Sequence, residues 1–305
     1  MLDIHKIKSR RLTANGVELH YREAGSTENP TIVLLHGYPS SSFMFRNIME
    51  PLAESTHVLA FDMPGFGLSE APPLDEFEYT FASIARTLQQ ALTQKGVQSY
   101  YLYMHDWGAI VGYLMALSAP EKVRGLVVQN GAAHAEGFGP DWDAPRAFWK
   151  NPTRENRAAL GEWMNEEGVR NEYYAGLDDA LAALVAPECW RYDWERLSRP
   201  GAIDRIFALY CDVGSHLERF EAISAYHREH QPPCLILWGR RDVFFEIDEI
   251  SAYARELDPV ESHVFDGGHF LLESHHRECS ALIERFVAET AGRTSASVAG
   301  PMMRT

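Results

Sequence analysis

A chain of 305 residues, 46% hydrophobic and 23% charged, can bury a large core as one big domain or as one domain carrying an insertion. Its formal net charge of −15 makes an acidic surface that repels phosphate backbones and anionic membranes, so nucleic acid and membrane are excluded as expected partners. No window reaches the ~18 apolar residues of a membrane span, and MLDIHKIKSRRLTANG scatters charges where a signal peptide needs an apolar run, so the expected location is the cytoplasm.

In chain order, KSRRLTA and VELHYREAG flank Asn15-Gly16 and read as an opening hairpin, because that dipeptide favours the tight primed turn. Short runs rich in branched or aromatic residues follow: TIVLLH (31–36), HVLAFD (57–62), YYLYMH (100–105) and VRGLVVQN (123–130). They alternate with amphipathic segments near 42–54, 79–95 and 107–119. Continuous apolar runs between helices mean strands buried on both faces, hence a parallel sheet with crossover helices. Residues 131–231 break this pattern. They hold no strand-like run, many aromatics such as Trp142, Trp163, Tyr173 and Tyr210, and a helix start at Asn151-Pro152-Thr153 followed by Glu155. The reading is a helical lid inserted between two strands of one sheet. The alternation resumes with CLILWG (234–239), a helix near 246–257, ESHVFD (261–266) and a last helix from 270 to 291. The expected division is therefore core 1–130, lid 131–231, core 232–292, and a small, polar tail 293–305 expected to be disordered. Cys189, Cys211, Cys234 and Cys279 are far apart with no CxxC pair, so neither a zinc site nor a disulfide framework is expected.

The chemistry concentrates in YLYMHDWGAIVG (101–112), where a buried strand passes straight into a helix at Asp106. A residue at such a corner is presented at the carboxyl edge of the sheet, where open α/β sheets bind ligands. Gly108 and Gly112 leave room for strand and helix to approach, and the helix N-terminus favours a carboxylate. The bland alternative is a simple helix cap. Two more loops end at the same edge: HGYPSSSFMFR (36–46), where the Tyr38 N–H with that of Trp107 can form an anion hole, and DMPGFGLSE (62–70). A nucleophile that acts repeatedly needs a base to activate water and an acid to orient the base. Asp242 ends WGRRD after one strand, and His269 sits in DGGHF after the next, in the order nucleophile, acid, base. The other strand end, Asn130, is no carboxylate.

These residues resemble the α/β-hydrolase superfamily, specifically its aspartate-nucleophile branch of epoxide hydrolases and haloalkane dehalogenases. The resemblance rests on His36-Gly37-Tyr38-Pro39, Asp62-x-Pro64-Gly65-x-Gly67-x-Ser69, His105-Asp106-Trp107-Gly108, Asp242 and His269, across residues 10 to 290. It implies an α/β-hydrolase fold, with a mostly parallel eight-stranded sheet, helices on both faces and a helical lid. It also implies a mechanism in which Asp106 displaces a leaving group from carbon as an alkyl ester, and His269, steadied by Asp242, directs water at that ester. The substrate loop would include His36, Tyr38 and Trp107, and the lid tyrosine of epoxide hydrolases would be Tyr226, in SAYHRE. Tyr38 after HG is common in epoxide hydrolases, whereas Met104 is closer to dehalogenases. A small hydrophobic epoxide is the expected substrate, with a haloalkane as the alternative and a non-catalytic ligand-binding protein as a further one. No cofactor or metal is called for, and a monomer or homodimer is expected.

Overall fold

The structure, a computed structural model, describes residues 7–292, so the tail 293–305 lies outside the described residues, as do residues 1–6. β1 (Lys8–Ala14) and β2 (Val17–Ala24) form the hairpin around Asn15 and Gly16, both at positive φ, as a primed turn requires. β3 (Thr31–Leu35), β4 (His57–Phe61), β5 (Tyr100–His105), β6 (Val123–Gln129), β7 (Cys234–Gly239) and β8 (Val260–Phe265) complete an eight-stranded sheet in the order β1-β2-β4-β3-β5-β6-β7-β8. β2 runs antiparallel to both neighbours, and all pairings from β4 to β8 are parallel. β3, β4, β5 and β7 are buried at every position, which requires helices on both faces.

The helices are α1 (Arg46–Leu52), α2 (Phe81–Gln94) and α3 (Trp107–Ser118), then α4 (Asp143–Lys150), α5 (Arg154–Ala159), α6 (Glu166–Tyr174), α7 (Asp179–Ala182), α8 (Pro187–Leu197), α9 (Ala202–Leu217) and α10 (Phe220–His230) between β6 and β7, and finally α11 (Glu249–Glu256) and α12 (Leu272–Ala291). Thr153 caps α5 by accepting the Asn156 N–H at 3.2 Å, at the predicted helix start. That helix soon stops. Gly161, at φ +70°, turns the chain, and Asn165 restarts it as α6 by accepting the Gly168 N–H at 2.9 Å. No helix of the described residues is long and apolar enough to cross a membrane.

The segment between β6 and β7 is not uniform. Its last helix, α10, packs into the layer beside the sheet: the Tyr113 hydroxyl of α3 lies 3.1 Å from His227 Nε2 and 2.6 Å from the Tyr253 hydroxyl of α11. Glu256 Oε2 pairs with His227 Nδ1 at 2.8 Å and His134 Nε2 at 3.0 Å, while His134 Nδ1 pairs with Glu249 at 2.8 Å. Burial raises the Glu256 carboxyl, but hydrogen bonds from Ser224, His134 and His227 outweigh it and hold it down to about 2. A depressed carboxyl contributes stability that is present above its unfolded value and is lost as pH falls toward 2. Glu256→Gln is therefore expected to lower stability by about 1–2 kcal/mol at pH 7 and by clearly less at pH 3. Denaturant midpoints at the two pH values check this, and a loss independent of pH would contradict it.

Candidate active site

β5 is buried along its length, and the chain turns at Asp106 with φ 50° and ψ −123° before α3 begins at Trp107. Such a backbone is strained for any residue with a side chain and persists only where packing imposes it. The packing is tight: a Cβ on Gly108 would run into the backbone carbonyls of Leu35 and His36, and one on Gly37 into the Asp106 carboxyl. The helix-cap alternative fails, because the Asp106 side chain makes no capping bond to the N–H groups of Gly108 or Ala109, the second and third residues of α3. Its Oδ2 instead accepts the Tyr38 N–H at 2.7 Å, and the carboxyl also accepts the Trp107 N–H. Burial pushes Asp106 up to about 6, opposed by the His269 charge and by these two N–H donors, with the Asp242 charge adding a little to the rise. The group is an anion at neutral pH.

His269 follows β8 and Asp242 follows β7, so both arrive at the same sheet edge. His269 Nδ1 lies 2.9 Å from Asp242 Oδ2, with side chains only 3% and 0% exposed. Asp242 Oδ1 accepts the Phe244 N–H at 2.7 Å, and Asn130 Nδ2 donates to Oδ2 at 2.8 Å. Asn130 is fixed in turn, since its Oδ1 accepts the Gly239 N–H at 2.9 Å. The amide that cannot act as the acid thus holds the residue that can. Burial lowers the His269 imidazole, but the charge and hydrogen bond of Asp242, then Asp106 and Glu172, raise it to about 9.

Above Asp106 lies a cavity of about 420 Å³. Tyr38, Asp106 and Trp107 form its floor, and Trp142, Leu160, Trp163, Glu172 and Tyr210 contribute from the helical segment. Glu172, on α6, faces this space. Burial pushes its carboxyl up to about 8; His269 opposes this, and Asp106 and Asp242 reinforce it. Sequence reasoning missed Glu172, and nothing local distinguishes it from the acids beside it at Glu166 and Glu167.

Asp242 and His269 are not among the residues that line this cavity, and two expected site residues fall away from the sheet-edge cluster altogether. His36 is fully buried and joins two loops: its Nδ1 donates to Gly37 O at 2.9 Å and its Nε2 accepts the Met63 N–H at 3.0 Å. Burial lowers its ring below the usual histidine value, in keeping with this neutral arrangement. It supports the Tyr38 loop and does not line the cavity. Tyr226 sits on α10 against His227 and His230, away from the cavity, because that helix belongs to the layer packed on α3 and α11. The tyrosine that the helical segment does present to the cavity is Tyr210, on α9.

Residues 30–276 match the family model described as alpha/beta hydrolase fold. An uncharacterized hydrolase of Saccharomyces cerevisiae is 32% identical over 275 residues, covering 89% of this chain and 92% of its own. A cis-3-alkyl-4-alkyloxetan-2-one decarboxylase of Shewanella oneidensis is 29% identical, covering 95% and 92%, and epoxide hydrolase 3 of Mus musculus is 25% identical, covering 92% and 76%. Among solved structures, an epoxide hydrolase without ligand superposes with a TM-score of 0.75 at 22% identity, covering 93% of this chain and 99% of that one. A haloalkane dehalogenase loop variant from Bradyrhizobium elkanii gives 0.74 at 21% identity, covering 94% and 98%.

Proposed function

The chain belongs to the α/β-hydrolase fold family and is a hydrolase of that family, and from this premise we propose that it opens small hydrophobic epoxides to diols through an alkyl ester on Asp106. The observation that carries this reading is a carboxylate on a strained corner, not used to cap its helix, facing a cavity walled by aromatic residues. Asp106 attacks an sp³ carbon, the strained ring opens, and one hard step becomes two easier ones. His269, oriented by Asp242, then directs water at the ester carbonyl, which is the Asp106 carboxyl itself. The oxygen that becomes the oxyanion is an Asp106 oxygen, and the Tyr38 N–H already points at Oδ2. The scheme uses no metal or organic cofactor. The helices lining the cavity serve as its lid, which excludes bulk water from the ester.

An epoxide oxygen leaves as a strongly basic alkoxide and needs acidic donors. Tyr38 and Tyr210 offer phenols to the cavity, and burial raises both above the ordinary tyrosine value, so both remain protonated donors. Two of the relatives bear names that specify strained oxygen rings, an epoxide and an oxetan-2-one. A haloalkane reading draws on Trp107 and Trp163, whose indoles also line the cavity and suit a halide. A single turnover in ¹⁸O water tests the shared chemistry. The label is expected in the Asp106 carboxyl, read by peptide mass. Label confined to the product would mean direct attack by water and no ester.

A further inference from the structure

Glu172 is a partly buried acid without a structural assignment. It stands on α6 facing the cavity, and among the described residues no donor or cation pairs with its carboxyl. The titratable groups that act on it are His269, Asp106 and Asp242 at the sheet edge, and its own charge bears on the Tyr38 phenol. A helix surface beside an apolar pocket is served better by a small or apolar residue, because a carboxyl partly withdrawn from water and without a partner gains nothing for the fold. Asn171, its neighbour on α6, also lines the cavity and would satisfy any need for polarity without a titratable group.

We propose that Glu172 is a catalytic residue, the acid that protonates the departing oxygen while Asp106 attacks carbon. This rests on the covalent reading given above and names the proton donor that ring opening requires. As the Asp106 oxygen forms its bond to carbon, the ring carbon–oxygen bond breaks, and its electron pair stays on oxygen and takes the Glu172 proton. The products of this step are a hydroxyalkyl ester and a Glu172 carboxylate. Water then adds to the ester carbonyl. His269, having given its own proton to the Glu172 carboxylate, takes one proton of this water and passes it to the departing alcohol oxygen, and the other, left on the Asp106 carboxyl, returns to His269, so Asp106 is again an anion, Glu172 an acid and His269 a cation. The environment divides the labour between the two carboxyls. With Asp106 at about 6 and Glu172 at about 8, one is an anion and the other an acid across the interval between them. Tyr38 and Tyr210 can hydrogen-bond the same oxygen without giving up a proton.

The test uses His269→Gln as the parent, in which the ester accumulates, and follows adduct formation by intact mass with 1,2-epoxybutane and with 1-bromobutane. Adding Glu172→Gln is expected to slow the epoxide adduct at least about 100-fold. The bromobutane adduct, whose bromide needs no proton, is expected to change less than about 3-fold. Glu172→Asp, which restores an acid, is expected to recover at least a tenth of the parent epoxide rate. Thermal midpoints of both variants report their folding. An epoxide rate unchanged by Glu172→Gln, an equal loss on both probes, or an aspartate variant as slow as the glutamine one overturns the assignment while leaving the covalent reading intact. A parent that takes up neither probe overturns the covalent reading, and the assignment with it.

Discussion

Asp106→Asn is expected to lower turnover by at least about 10⁴-fold while making the folded protein more stable at pH 8. Asparagine keeps the shape, tolerates the positive φ that the corner imposes and can still accept the Tyr38 N–H through its amide oxygen, so the fold has no reason to change. What disappears is the nucleophile. The gain in stability follows from burial, which lifts Asp106 from 3.8 in the unfolded chain to about 6 in the fold. A raised carboxyl carries no penalty while it is protonated in both states. Its penalty grows as pH rises through that interval, reaching about 3 kcal/mol above it. Denaturant midpoints of wild type and variant should therefore diverge at pH 8 and nearly coincide at pH 3. Activity is read on fresh protein whose mass confirms the amide. Equal stability at both pH values would show that the carboxyl is better solvated than the geometry indicates, and substantial residual turnover would remove Asp106 from the chemistry.

The strand and corner positions were legible in the sequence because each depends on local pattern. TIVLLH, HVLAFD, YYLYMH and CLILWG are β3, β4, β5 and β7 to within a residue, since burial on both faces leaves an unbroken apolar run. Asp106 and Asp242 could be located because each follows such a run, and His269 because it follows the alternating, half-exposed strand β8 to the same sheet edge. The helical segment was less legible. Asn151-Pro152-Thr153 marks where a helix starts, but it is Gly161 and the Asn165 cap that end it and begin the next, and that break sets the position of α6. Glu172 and Tyr210 reach the cavity only through the packing of helices against one another, which no short pattern encodes. Tyr226 departs from its expected place for the opposite reason. Its position late in the insertion resembles a lid residue, but α10 has already rejoined the layer around Tyr113 and Tyr253. Asn130 cannot be the acid, but its amide is well suited to hold one.

His269→Gln is expected to stop turnover, by at least about 10⁴-fold, at a different point from Asp106→Asn: protein mass should rise by one substrate equivalent and stay there. Glutamine is polar enough to occupy the site beside Asp242 but cannot take a proton from water. The pH behaviour of the wild type sharpens the expectation. In the resting enzyme the imidazole is held at about 9, so at neutral pH it is a cation that supports the Asp106 anion. A cation is no base. Esterification removes the Asp106 charge, one of the causes of that elevation, and the imidazolium proton passes to the Glu172 carboxylate that ring opening leaves, so neither neighbouring carboxyl then holds the imidazole up and burial pulls its pKa down. The first step thereby produces the base that the second step needs. Ester decay in single-turnover experiments should rise with pH to a plateau whose midpoint lies below 9, and the variant should show no such rise. A midpoint at or above 9 would mean that Asp242 alone sets the histidine and that the two steps are not coupled through charge.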